Sequence, residues 1–159
     1  MPHSIFALNQ KTLGKIDPDK LCVALKRVHF RTLCAQYGLD ADLIPALKAN
    51  INVITAVGEI SPYFVLVYQQ VGERPILVHH WGVDSEEGAG ILQDFLGQDL
   101  PDFVVDHLSK VDHILRIELH ASQLQDMGLL LAYEVARWAA VKGEGLVLGF
   151  DGNWYRLNR

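Results

Sequence analysis

Histidine is the one site-forming residue type that the chain carries in quantity: His3, His29, His79, His80, His107, His113 and His120. The adjacent pair His79-His80 is the first candidate for metal or acid–base chemistry. Neighbouring residues on a strand point to opposite faces, so the two cannot ligate one ion if their segment is extended. Strands that bind metals use ligands at i and i+2, and helices at i and i+4, as in a His-Glu-x-x-His spacing that this sequence does not contain. His79 and His80 therefore read as structural or rim residues. The segment from His113 to His120 alternates more usefully. Leu115, Ile117 and Leu119 form an apolar face, expected to meet the helix that follows. Arg116, Glu118 and His120 fall on the other face, spaced about 7 Å apart by the strand period. Glu118 could orient the His120 imidazole, and Arg116 could hold an anion. The competing reading is a solvated sheet face with cross-strand ion pairs, the commoner fate of such a row.

Other constellations are weaker. No Ser or Cys stands out as a nucleophile near these residues, so there is no triad to argue. Gly88-Ala-Gly90 neither follows a strand nor precedes a Walker lysine, which removes a phosphate loop. Asp84, Glu86 and Glu87 are first-turn helix charges, and Asp102 and Asp106 share a solvent-facing side. Trp154 and Arg156 close a hairpin turned by Asp151-Gly152. With a two-residue turn, Trp154 stands opposite Gly149 on the face of Val147 and Arg156. Leu146, Leu148, Tyr155 and Leu157 take the other face. Trp and Arg are favoured anchors of protein interfaces, although a Trp covering a cross-strand Gly is commonly structural. The candidate binding residues are thus Arg116, Glu118, His120, Trp154 and Arg156, with no catalytic residue, no metal site and no cofactor expected.

These residues must be positioned by the last third of the chain, where cap, pattern and turn chemistry agree. The alternating strand is followed by Ser122 and Gln125, a capping-box pair opening an apolar run that ends at Gly143. Its polar residues make only a narrow stripe (Gln123, Asp126, Glu134 and Arg137), which predicts a central buried helix over residues 123–142. The hairpin comes last. Upstream, residues 51–57, 63–69 and 76–81 are β-branched and aromatic runs bounded by turn residues, an antiparallel meander. Asp17-Pro18-Asp19 starts a helix whose apolar face rotates near residues 27–29, so that either it breaks there, the favoured reading, or core wraps it on both sides, and Gly38 stops it. Short helices are predicted over 40–48, 84–96 and 100–110, and an edge strand over 4–8. The fold class is α+β: one domain with an antiparallel or mixed sheet of about five to seven strands and helices packed on it, ending in a strand-helix-hairpin unit.

Composition narrows the function classes. With 159 residues, 50% apolar and 21% charged, the chain can form a single core. A net charge of −5, from 14 basic and 19 acidic residues, lacks the basic footprint that phosphate backbones require, so no nucleic-acid partner is expected. The most apolar segment contains Asp126, Glu134 and Arg137 and reads as a buried helix rather than a membrane span. Cys22 and Cys34 would lie about 18 Å apart on a continuous helix, beyond the reach of a disulfide. Reduced thiols and an N-terminus without a signal-peptide pattern suit the cytoplasm.

The ending Leu129-Leu-Leu-Ala-Tyr-Glu-Val-Ala-Arg-Trp-Ala140, then Gly143-Glu-Gly-Leu-Val-Leu and Asp151-Gly-Asn-Trp, resembles that of small bacterial immunity proteins, which neutralise toxins delivered between cells. The resemblance spans residues 113–157 and implies a protein that neutralises a protein partner, with no catalytic residue carried over. The function expected is a non-enzymatic protein-binding domain. Its rival is a small enzyme or ligand-binding domain in which His79 or His80 joins Arg116, Glu118 and His120 on the polar sheet face.

Overall fold

The computed structural model describes residues 3–14, 16–55, 63–69 and 74–156. Their backbone forms an α+β fold around one seven-stranded antiparallel sheet. In chain order come β1 (His3–Asn9), α1 (Pro18–Lys26), α2 (Phe30–Tyr37), a 3₁₀ turn (Ala41–Leu43), α3 (Ile44–Asn50), β2 (Asn52–Thr55), β3 (Tyr63–Val67), and β4 (Ile76–Gly82). Next come α4 (Glu86–Leu96), α5 (Asp102–Leu108), β5 (His113–Leu119), a second 3₁₀ turn (Ala121–Gln125), α6 (Met127–Gly143), β6 (Gly145–Leu148) and β7 (Trp154–Tyr155). The sheet order is β2-β3-β4-β5-β1-β6-β7.

The meander β2-β3-β4 forms as its β-branched pattern predicts, and the break between α1 and α2 falls at residues 27–29. Asp17 caps α1 by accepting from Asp19 N at 3.0 Å and Lys20 N at 3.3 Å, and Gly38 closes α2 at a φ of 69°. Turns are expected at 58–62 and 72–75 between the meander strands; residues 58–62 and 72–73 lie outside the described residues, as does Leu157. Cys22 and Cys34 are free thiols, Cys34 buried against Met127.

Two cores flank the sheet. The larger packs α6, α1 and α2 onto one face, where Ile5 of β1 and Ile117 of β5 meet helix residues such as Leu131 and Val135. The smaller packs α4 and α5 onto the opposite face, where Leu8, Ile114 and Leu146 meet Phe95, Val104 and Leu108. Leu130 and Val135 are fully buried, so α6 is the central helix its apolar circumference predicts.

Four details differ from the sequence expectation. β1 is central, between β5 and β6, rather than at an edge. Ile5, Ala7 and Leu8 are all buried, a near-continuous apolar run of the kind that is covered on both faces. The helix expected to open at Ser122 opens instead in two steps. His120 N donates to Gln123 Oε1 at 2.8 Å and starts the 3₁₀ turn, and Asp126 then caps α6 by accepting from Gly128 N at 2.6 Å. Gln123 and Glu134, expected on an outer polar stripe, are buried; Gln123 Nε2 donates to the Arg74 carbonyl at 2.9 Å.

The fourth difference is in the final hairpin. Gly149 N donates to Asn153 O at 2.9 Å and Gly152 N to Gly149 O at 3.0 Å, so three residues, not two, form the loop. Gly152 sits at a φ of 83°, as a turn ending in a left-handed residue requires. One added residue reverses every later side chain. Trp154 therefore pairs with Leu148, and Tyr155 with Val147, the reverse of the predicted facing.

Candidate functional site

The polar face of β5 assembles part of the row read from the sequence. In the β4–β5 ladder His79 stands opposite Arg116 and Leu77 opposite Glu118. Glu118 Oε1 lies 3.7 Å from His79 Nε2 and 3.5 Å from Arg116 Nη2. Arg116 Nε also donates to Ser4 Oγ at 3.0 Å, and the His79 ring stacks parallel to Trp81 with centroids 5.6 Å apart. All of these side chains are half-buried. His120 does not join the row. It lies one residue beyond the end of β5, exposed, with its Nδ1 accepting from Ser122 N at 3.3 Å. Glu118 and His120 nevertheless share the wall of a groove of about 360 Å³ with Arg74, Leu77 and Gln123.

The arrangement places one carboxylate between a guanidinium and an imidazole. Arg116 is committed to Glu118 and Ser4, which fixes the carboxylate and occupies the guanidinium expected to hold an anion. No group of three or more His, Cys, Asp or Glu side chains placed to hold a metal occurs among the described residues.

His80 points to the opposite face, as strand alternation demands. Its Nδ1 lies 2.7 Å from His113 Nε2, a bond in which one neutral ring donates and the other accepts. Burial, and then the facing His113, pull the His80 pKa down to about 4. His113 is lowered too, chiefly by burial, with Asp112 and Asp84 opposing. His107 is structural: its Nε2 is 2.7 Å from the Leu8 carbonyl, tying α5 to β1.

Trp154 and Arg156 are engaged within the fold. The Trp154 ring meets Phe95 edge-on with centroids 5.7 Å apart, and Phe95 meets Phe6 in the same way at 5.2 Å. The Arg156 guanidinium lies 4.0 Å above the Phe103 ring. Both residues thus line the smaller core's rim, holding β7 and its following residue over α4 and α5.

The hairpin shift that turns Trp154 inward turns Tyr155 toward α6, and there the aromatic residues gather. Tyr133 of α6 is surrounded by Tyr37 at the end of α2 (6.3 Å, near-parallel), Tyr155 of β7 (6.2 Å, edge-on) and Phe150 of the loop (6.4 Å). They line an open groove of about 420 Å³. Tyr37, Phe150 and Tyr155 remain 38%, 40% and 41% exposed, unusual for three neighbouring large aromatics. Charge is placed at two points of this groove. Glu134, 8% exposed, accepts from Arg137 Nε at 3.1 Å and Nη2 at 3.0 Å, so this pair is neutral. Asp151 accepts from the Tyr155 hydroxyl at 2.9 Å and from Asn153 N and Nδ2, both at 3.0 Å. Partial burial acts against ionising Asp151, but these hydrogen bonds prevail and hold its carboxyl below the usual range. The negative field is felt by the phenols: burial, then Asp151 and Tyr155, push Tyr133 up, and burial, then Glu134, push up Tyr37.

The sequence holds a signal for this groove in Tyr133, Phe150, Asp151 and Tyr155, but a two-residue turn assigns Tyr155 to the wrong face. Tyr37, nearly a hundred residues earlier, has no local signal linking it to them.

Compared with protein-family models, with curated proteins and with solved structures, the chain matches none.

Proposed function

We propose that this chain is a non-enzymatic protein-binding domain, of the immunity type that its last third resembles, and that it acts by occluding a protein partner. The observation that carries the reading is the groove among Tyr37, Tyr133, Phe150 and Tyr155. Large aromatics are enriched at the centres of protein interfaces, where they supply rigid contact area at low entropic cost. Three of them stand exposed together here, on three separate parts of the chain gathered around the buried helix α6. An overall charge of −5 favours encounter with a basic partner.

The test is photo-crosslinking in the cells that make the protein, with a benzophenone amino acid at position 37 or 155. A single captured protein is expected, bound by the purified domain with a Kd in the micromolar range or tighter, and lost with Tyr133→Ala. A crosslink that Tyr133→Ala does not weaken, or no partner at that affinity, overturns the reading.

One observation favours the rival, a small enzyme or ligand-binding domain on the polar sheet face: the His79 imidazole does converge on Glu118, at 3.7 Å. Under that reading small ligands shift the ring signals of His79 and His120 together, because His79 meets Glu118 and His120 shares a groove wall with it. Independent behaviour of the two histidines in every titration removes it.

A further inference from the structure

We infer that the groove among Tyr37, Tyr133, Phe150 and Tyr155 receives an arginine side chain of the partner protein, its guanidinium lying on the aromatic rings and paired with Asp151. The inference rests on the protein-binding reading of this groove and adds the chemistry of what enters it.

Charge decides what the groove can accept. Arg137 also lines it, but both of its bonds go to Glu134 Oε2, so these two charges offset each other. Asp151 is different. Its three bonds come from neutral donors, the Tyr155 hydroxyl and the two nitrogens of Asn153. Those donors keep it ionised without neutralising it, and no cation of the described residues pairs with it, so a negative charge stands on the groove rim.

The rings favour a cation as well. Elsewhere in the fold the chain's own cations sit over aromatic faces: Arg156 over Phe103 at 4.0 Å, Lys142 over Trp138 at 5.2 Å and Lys48 over Phe30 at 5.7 Å. Among the described residues none lies over Tyr37, Tyr133, Phe150 or Tyr155. A ring face attracts a cation through its quadrupole, and several faces beside a carboxylate add to that attraction. Between the two protein cations, arginine fits better. Its guanidinium is flat enough to stack on a phenol ring while its N–H fork reaches a carboxylate, and it is less strongly hydrated than an ammonium. A volume of about 420 Å³ is ample for one arginine side chain with the flanking backbone outside.

The experiment uses the whole chain and NMR titration with Nα-acetyl-arginine amide. Nα-acetyl-citrulline amide, of the same shape without the charge, is the control. Saturable shifts confined to the rings of the four aromatics are expected, with a Kd in the millimolar range, as a single side chain supplies only part of an interface. Citrulline should bind at least about fivefold more weakly. Asp151→Asn should weaken the arginine probe about fivefold or more and leave citrulline unchanged. Because Asp151 also orders the hairpin loop, Tyr37→Leu serves as a second variant, on α2 and without a hydrogen bond in that loop, and is expected to weaken arginine preferentially. Equal response to both probes, shifts elsewhere, or no response overturns the inference. A crosslinked partner that binds this groove with full affinity to Asp151→Asn also overturns it, while leaving the protein-binding reading intact.

Discussion

Replacing Trp154 and Tyr155 one at a time by alanine tests the hairpin register, and with it the identity of the groove. The two residues are adjacent, similar in size and both on β7, so composition and position along the chain cannot separate them. The structure does. Trp154 is half-buried among Phe95 and the other residues of the smaller core. Truncating a fully buried Trp costs about 3–5 kcal/mol, so a half-buried one set in this rim should cost about 2–3 kcal/mol. Tyr155 is 41% exposed, and its hydroxyl bonds an exposed carboxylate, so its loss should cost about 0.5–1 kcal/mol. The difference, about 1–2.5 kcal/mol, amounts to roughly 2–10 °C in Tm for a domain of this length. Urea and thermal unfolding of the two variants, followed by near-ultraviolet circular dichroism, would measure it. A two-residue turn would exchange the two environments. Should Tyr155→Ala prove as costly as Trp154→Ala, the three-residue loop and the groove built on it are both wrong.

The His80–His113 pair gives a pH prediction. The folded His80 pKa of about 4 lies below the ordinary 6.5, so the folded state binds fewer protons: stability should be flat above about 6.5 and fall as the pH drops toward 4. The full gap would amount to about 3 kcal/mol, reduced to about 1–2 kcal/mol by solvent reaching this partly exposed pair, and His80→Leu should lose that part of the pH dependence of the urea midpoint. Gly88→Ala should destabilise by about 1–3 kcal/mol, because a Cβ there would meet the Gly82 carbonyl and push α4 off the end of β4; a neutral result in chemical denaturation would contradict that packing. Arg137→Ala should cost about 1–3 kcal/mol by leaving the buried Glu134 carboxylate without its cation, and Glu134→Gln in the same chain should restore part of the loss.

Local chemistry carries far in this chain wherever a residue acts on its own neighbours. Asp17 capping α1, Gly38 closing α2 and the rotation of the apolar face at residues 27–29 all act within one or two turns, and each is readable from the sequence. Strand alternation likewise separates His79 from His80 correctly and puts Arg116 beside Glu118. What local patterns cannot supply is the partner across the sheet. The run Ile5-Phe-Ala-Leu8 reads as a strand, but its central place depends on β5 and β6 arriving from more than a hundred residues away. The cap of α6 is obscured for a related reason. Ser122 and Gln125 have the right spacing, yet the segment forms a 3₁₀ turn before Asp126 begins the helix, with Gln123 turned inward to the distant Arg74 carbonyl.

The candidate groove depends on both kinds of information at once. Tyr133 and Asp151 are placed by elements the sequence displays openly, a long apolar helix and a glycine turn. Tyr155 reaches them only because the loop between β6 and β7 contains three residues. Asp151-Gly152 fits a two-residue turn equally well by residue type, since glycine at a positive φ is required in either. The longer form has support from Asp151, whose Oδ1 accepts from Asn153 N and whose Oδ2 accepts from Asn153 Nδ2 and the Tyr155 hydroxyl. Those bonds brace the loop and draw Tyr155 to the α6 side, while Trp154 packs on Phe95 of the smaller core. The same carboxylate that stabilises the turn is thereby held beside four aromatic rings, paired with no cation among the described residues. A substitution at Asp151 consequently acts on loop geometry and on the groove's field together, and only a comparison of charged with neutral probes separates the two.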